Sequence, residues 1–191
     1  MPIQRAKPRL VDLDQTPLTS ITSSDLPAGT ILQVQHAIKK DIQSIGSSSY
    51  TDIDSLNITF TPKASNSKLI IMPMINIQGY GEGHTAQLRA VVTDGSDPVD
   101  TNFAVADTAS NRTRSMMGNF AATGTDGNHM MSPTTGMVQY QITSTNSHLV
   151  QIQLKTQGGN TLYLNRTKND ADNSDWATRN VSSLTIMEVA Q

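Results

Sequence analysis

Glu82 and His84 stand two residues apart in the run Gly79-Tyr80-Gly81-Glu82-Gly83-His84. A carboxylate and an imidazole on a glycine-rich loop can be presented together to a ligand or a metal, although a tight turn between strands is the simpler use of such a run. His129, in Gly127-Asn128-His129-Met130-Met131, is a further contact candidate, and its two methionines suit a loop anchored on a neighbour. Tyr80 and the single tryptophan, Trp176, offer aromatic faces of the kind that stack on a sugar ring. Packing of Trp176 over the end of the fold is the plainer alternative. These five residues, Tyr80, Glu82, His84, His129 and Trp176, are the candidate ligand contacts.

Other chemistry is hard to find. The histidines at 36, 84, 129 and 148 share no metal-ligand spacing. The chain has no cysteine, which excludes disulfide frameworks, thiolate zinc sites and cysteine nucleophiles. Asn169-Asp170-Ala171-Asp172-Asn173-Ser174-Asp175 begins like a calcium loop, but Asp175 stands where an EF-hand needs Gly and Val181 where it needs Glu. Asp94, Asp97 and Asp100 make a weaker acidic cluster, and polar turn chemistry accounts for both. No phosphate loop, nucleophile elbow or basic-aromatic platform is legible. The expectation is a protein with no catalytic residue, no cofactor and no resident metal.

The elements that must position these loops follow from composition. The chain has 191 residues, one ordinary domain in size, of which Leu, Ile, Val and Phe supply 41. Thr, Ser and Asn number 55, and 14 of the 16 acids are Asp. Helix surfaces are built from Glu, Lys, Arg, Gln and Ala, whereas Thr favours strands and Asp, Asn, Ser and Gly favour turns. A mainly helical fold is therefore excluded. A net charge of −2 gives no electrostatic footprint for nucleic acid, and no apolar run approaches the ~18 residues of a membrane-spanning helix. The N-terminus also lacks the apolar run of a signal peptide, so synthesis in a cytoplasm is expected.

Residues 1–28 differ from the rest. Prolines at 2, 8, 17 and 27 favour extended backbone, Arg5, Lys7 and Arg9 are basic, and Leu10, Val11, Leu13 and Leu18 are more apolar than a solvated tail requires. The segment is either a disordered leader or an extended arm that docks on a neighbouring subunit and orders on binding. From Gly29 the chain reads as eight or nine short strands, most with period-two alternation: Leu32–Ile38, Leu56–Phe60, Leu88–Val92, a weak Phe103–Val105, Val138–Ile142, Val150–Leu154, Leu162–Leu164 and Leu184–Ile186, with Leu69–Ile77 apolar on both faces as in a central strand covered on both sides. Residues 36–45 hold the best helix candidate, and Pro73 implies a bulge or an edge position in an otherwise buried run. Residues 107–136 read as a long excursion. This pattern predicts an all-β domain over 29–191, an antiparallel β-sandwich of jelly-roll-like type, with its apolar residues mostly turned inward. Several outward faces carry Gln or Thr where solitary sheets carry charge, which points to a homo-oligomer.

Three stretches carry a family resemblance. Ser23-Ser24-Asp25-Leu26-Pro27-Ala28-Gly29-Thr30-Ile31-Leu32-Gln33-Val34 resembles the opening of β-rich modules in virion proteins of tailed bacteriophages. Thr59-Phe60-Thr61-Pro62-Lys63-Ala64-Ser65-Asn66-Ser67-Lys68-Leu69-Ile70-Ile71 is similar to their crossover into a buried strand, and Val181-Ser182-Ser183-Leu184-Thr185-Ile186-Met187-Glu188-Val189 to their closing strand. The resemblance implies a non-enzymatic virion surface protein, either a short tail-fibre-like piece or a capsid-decorating one. It implies a homotrimer attached to other virion proteins through the arm, with the loops at 79–84, 107–136 and 165–180 exposed for adhesion or stabilisation. A carbohydrate-binding module reading host glycans is the alternative expectation.

Overall fold

A computed structural model describes residues 22–79, 85–95, 100–120, 131–157, 160–175 and 177–191. Two antiparallel sheets stack into a β-sandwich, and among the described residues there is no α-helix. The larger sheet is formed by β1 (Ile31–Lys39), β11 (Ser182–Val189), β4 (Lys68–Gly79), β10 (Leu162–Leu164) and β2 (Gln43–Ile45), with β7 (Ser132–Thr135) and β8 (Val138–Gln141) both on the far side of β4. The smaller sheet runs β3 (Thr51–Phe60), β9 (His148–Thr156), β5 (Thr85–Asp94), β6 (Met117–Phe120).

The expected strands appear, with differences that have physical causes. The helix candidate at 36–45 is instead the end of β1 followed by β2. Its His36, Ile38 and Ile42 side chains are β-compatible, and pairing with β11 and β10 outweighs a helix too short to be stable alone. Phe103 and Val105 form no strand; Phe103 sits in a turn and packs its ring edge-on to Tyr140 at 5.0 Å. The 107–136 excursion contains β6 and the start of the β7–β8 pair.

Pro73 sits in the middle of the long strand β4, paired with Leu184 of β11. Its carbonyl points the other way and accepts from Gly136 N at 3.3 Å. On that side the neighbour is broken between Thr135 and Val138, so the nitrogen without a hydrogen faces the interruption between β7 and β8 and not a continuous ladder. The edge or bulge expected from the proline is thus realised as a gap in its partner.

The core is one cluster drawn from both sheets, including Leu69, Ile71, Ile75, Leu184 and Ile186 from the larger and Leu88, Ala90, Val150, Ile152 and Leu154 from the smaller. Strand alternation explains it: β9 reads buried at every second position from His148 to Thr156. β1 departs from the expectation. A register shift between Ile31 and Gln33 turns Gln33, Gln35, Ala37 and Lys39 inward, and Val34, His36 and Ile38 outward. Val34 and Ile38 are left 54% and 49% exposed on the outside of the sheet.

The inward polar residues of β1 are matched by partners. Lys39 is fully buried with its Nζ 2.7 Å from Asp41 Oδ2. The side-chain amide of Asn165 donates to the carbonyls of Lys39 and Asp41 at 2.9 and 3.0 Å, while its oxygen accepts from Ser182 Oγ at 2.7 Å. This buried chain of polar groups ties the ends of β1, β10 and β11 together, as satisfied networks do. Asn165 takes φ +61, a left-handed conformation that asparagine tolerates better than most residues.

Candidate functional site

Tyr80, Glu82, His84, His129 and Trp176 lie outside the described residues, as do Arg5, Lys7, Arg9, Leu10, Val11, Leu13 and Leu18 of the arm. The stems that carry the candidate loops are described. Gly79 pairs with Leu162, Thr85 with Phe120, and Ile77 with Ser132, so the segments 80–84 and 121–130 both leave from the Gly79 end of the sandwich. The 165–180 loop leaves close by, since Asn165 N donates to Asn76 O and Asn76 Nδ2 to Val181 O. Three loops far apart in sequence therefore rise from one end of the domain.

Of the two acidic clusters, Asp170 and Asp100 are engaged by the protein itself, and Asp97 lies outside the described residues. Asp170 is held by Arg179 at 2.6 Å and lies 3.9 Å from Arg166, whose guanidinium also stacks 4.4 Å from the Tyr163 ring. Asp100 caps Asn102 N at 2.9 Å. No group of three or more His, Asp or Glu side chains gathers as a metal site among the described residues. Asp170→Ala is expected to cost less than about 1 kcal/mol in thermal or denaturant unfolding, the ordinary worth of an exposed ion pair.

Asp94 and His148 are buried together at the opposite end of the core. Ser144 Oγ donates to Asp94 Oδ2 at 2.7 Å, and His148 Nε2 lies 3.6 Å from the same oxygen. The Ser144 hydrogen bond chiefly, with help from Asn146 and His148, holds the Asp94 carboxyl below its ordinary range against the effect of burial. A serine relay needs its hydroxyl on the imidazole. Here the hydroxyl is on the carboxylate and His148 Nδ1 faces Asn146 O at 2.8 Å, so the trio is a clasp between β5 and the turn before β9.

The feature that joins distant parts of the sequence is Glu188, fully buried near the end of β11. Its carboxylate accepts from Ser67 Oγ and Gln33 Nε2, each at 2.6 Å, from Lys63 N at 2.9 Å and from Ala64 N at 3.1 Å. Burial acts to raise its pKa. The hydrogen bonds from Ser67, Gln33, Lys63 and Ala64 outweigh that and leave it lowered. Gln33 Nε2 also donates to Thr61 O at 2.9 Å, and beside it Gly29 N and Thr30 O exchange bonds with Ala190 at 2.9 Å.

The arm's last residues arrive at this same end. Thr22 and Asp25 cap a short 3₁₀ turn, Ser23–Asp25, and Ser23 Oγ donates to Lys63 O at 3.2 Å. An open cleft of about 400 Å³ lies alongside, lined by Ser23, Lys63 to Ser67, Thr145 and the C-terminal Ala190 and Gln191. Sequence reasoning did not single out Glu188, although a signal was there. It is one of two glutamates in the chain and shares the inward parity of Leu184 and Ile186.

No family model matches the chain, and no curated protein is similar to it.

Proposed function

We propose that the chain is a non-enzymatic structural subunit of the surface of a tailed-bacteriophage virion. It is a short tail-fibre-like or capsid-decorating homotrimer attached to the particle through its N-terminal arm. The observation that carries this reading is the convergence on Glu188. The three stretches that resemble phage virion modules are up to 155 positions apart, yet each supplies a group to one buried carboxylate: Gln33, then Lys63, Ala64 and Ser67, then Glu188 itself. Their likeness is therefore that of a single structural joint, which strengthens three short motifs that are weak one at a time. The joint also brings the arm to one end of the sandwich and leaves the candidate loops at the other, a division suited to attachment and display.

The glycan-binding alternative rests on Tyr80 and Trp176, and no described residue adds to it. The test of the main reading is a chain truncated before Thr22, which retains the Glu188 joint and the whole core. The truncated body is expected to keep its β-type circular dichroism and cooperative unfolding but to be lost from assembled particles. Incorporation at the wild-type level would refute attachment through the arm.

A further inference from the structure

The outer face of the larger sheet mixes apolar and uncharged polar side chains across three cross-strand rows. Val34 lies beside Met187, Ile70 and Gln139; His36 beside Thr185 and Met72; Ile38 beside Ser183, Met74 and Thr135. Met74 is 37% exposed and Met137, in the gap between β7 and β8, 64%. Between the row of Lys68, whose own side chain is charged, and that of Asn76, these positions include no Asp, Glu, Lys or Arg. β1, at the margin of the face, is also the edge of its sheet, paired with β11.

A solitary sandwich turns the apolar side of its edge strand inward and a polar side to water. β1 does the reverse, burying Lys39 and half-burying Gln33 while showing Val34 and Ile38, and it lacks the outward charges that normally blunt an edge. We infer that this face packs against a second copy of the chain. An uncharged face leaves no ion unpaired on burial. The chain's own surface supplies partners of the same character, both this face and the Asn57–Gln151 and Thr59–Leu149 rows on the other sheet. A strongly charged partner would find no counter-charge here. The inference rests on the reading of the chain as an assembly subunit and names the surface that does the assembling.

The test is light scattering on the full-length chain at micromolar concentration. The wild-type mass is expected to be a multiple of 20.6 kDa, and that of Val34→Glu/Ile38→Glu to fall to 20.6 kDa. The double variant should keep the wild-type circular dichroism and a cooperative unfolding transition, because both side chains are half exposed in the single chain. Met74→Lys, on the third strand counted from the edge and along the same row, provides a second, independent variant with the same expected effect. Leu10→Glu/Leu13→Glu, in the arm, should leave the mass unchanged; dissociation there with the face variants still assembled would assign the contact to the arm and overturn the inference. Assembly that survives both face variants also overturns it while leaving the subunit reading intact, whereas a monomeric wild-type chain removes both.

Discussion

Glu188→Gln is expected to lower the unfolding free energy by about 3 kcal/mol, because hydrogen bonds to a buried charge contribute ~1.5–3 kcal/mol each and some of these become amide-to-donor clashes. A glutamine keeps one acceptor oxygen, but its NH₂ must face donors: Ser67 Oγ, Gln33 Nε2 and the Lys63 and Ala64 amides all point at the carboxylate. No rotamer satisfies them all. The effect has a pH signature as well. The folded-state pKa of Glu188 lies below its ordinary value, so the unfolded chain takes up the proton first as pH falls. The stabilisation is complete above the unfolded value, ~4.3 for a glutamate, and is lost as pH drops through the folded one. Thermal unfolding from pH 7 to pH 3 should show the wild type losing stability steeply at the acid end. Glu188→Gln, already destabilised, should follow a flatter course there. Parallel curves for the two proteins would contradict the role assigned to the carboxylate.

Ile186→Ala is expected to cost about 2–5 kcal/mol, and its neighbour Met187→Ala less than about 1 kcal/mol in the monomer, since only the first opens a cavity in the core. The two residues are adjacent on β11 and point to opposite faces. Ile186 is buried in the cluster shared by both sheets, whereas Met187 lies on the outer face beside Val34 and Ile70. Denaturant unfolding of both variants at a concentration that keeps the chain monomeric isolates the intrinsic term. At higher concentration Met187→Ala should lose additional stability if its face is covered by a second copy, because association adds to apparent stability by mass action. Equal costs for the two substitutions would mean that the strand's parity has been misassigned.

Composition and alternation made the architecture legible. Thr, Ser, Asn and Asp in place of Glu and Ala announce strands and turns, and the runs around Leu69, Val150 and Leu184 place three central strands within a few residues of where they lie. What could not be read was which face of β1 meets the core. Alternation gives the period and not the sign, and here the sign follows the register shift between Ile31 and Gln33 and the distant Glu188, which takes the Gln33 side chain on the inside. The same limit applies to β2 and to Pro73. A three-residue strand has too little pattern to show, and a gap in the neighbouring strand leaves no trace at the proline itself. Glu82, His84, His129 and Trp176 lie outside the described residues, and the stems of the segments that carry the first three lie together because β4, β5 and β6 end or begin there.

The length of β4 has a consequence for how the two ends of the molecule influence each other. Its twelve residues run from the Glu188 joint, where Leu69 pairs with Glu188, to Gly79 at the root of the candidate loops. At ~3.3 Å per residue that strand holds the two ends roughly 35 Å apart. Physiological salt screens exposed charges over ~8 Å, so about four screening lengths separate them. The charges of whatever holds the arm end are thus not felt at the loop end. On the proposed reading, a change of charge at the loop end leaves the electrostatics of the attachment unaltered, and a change of charge at the arm end leaves unaltered the electrostatics of what the loops present.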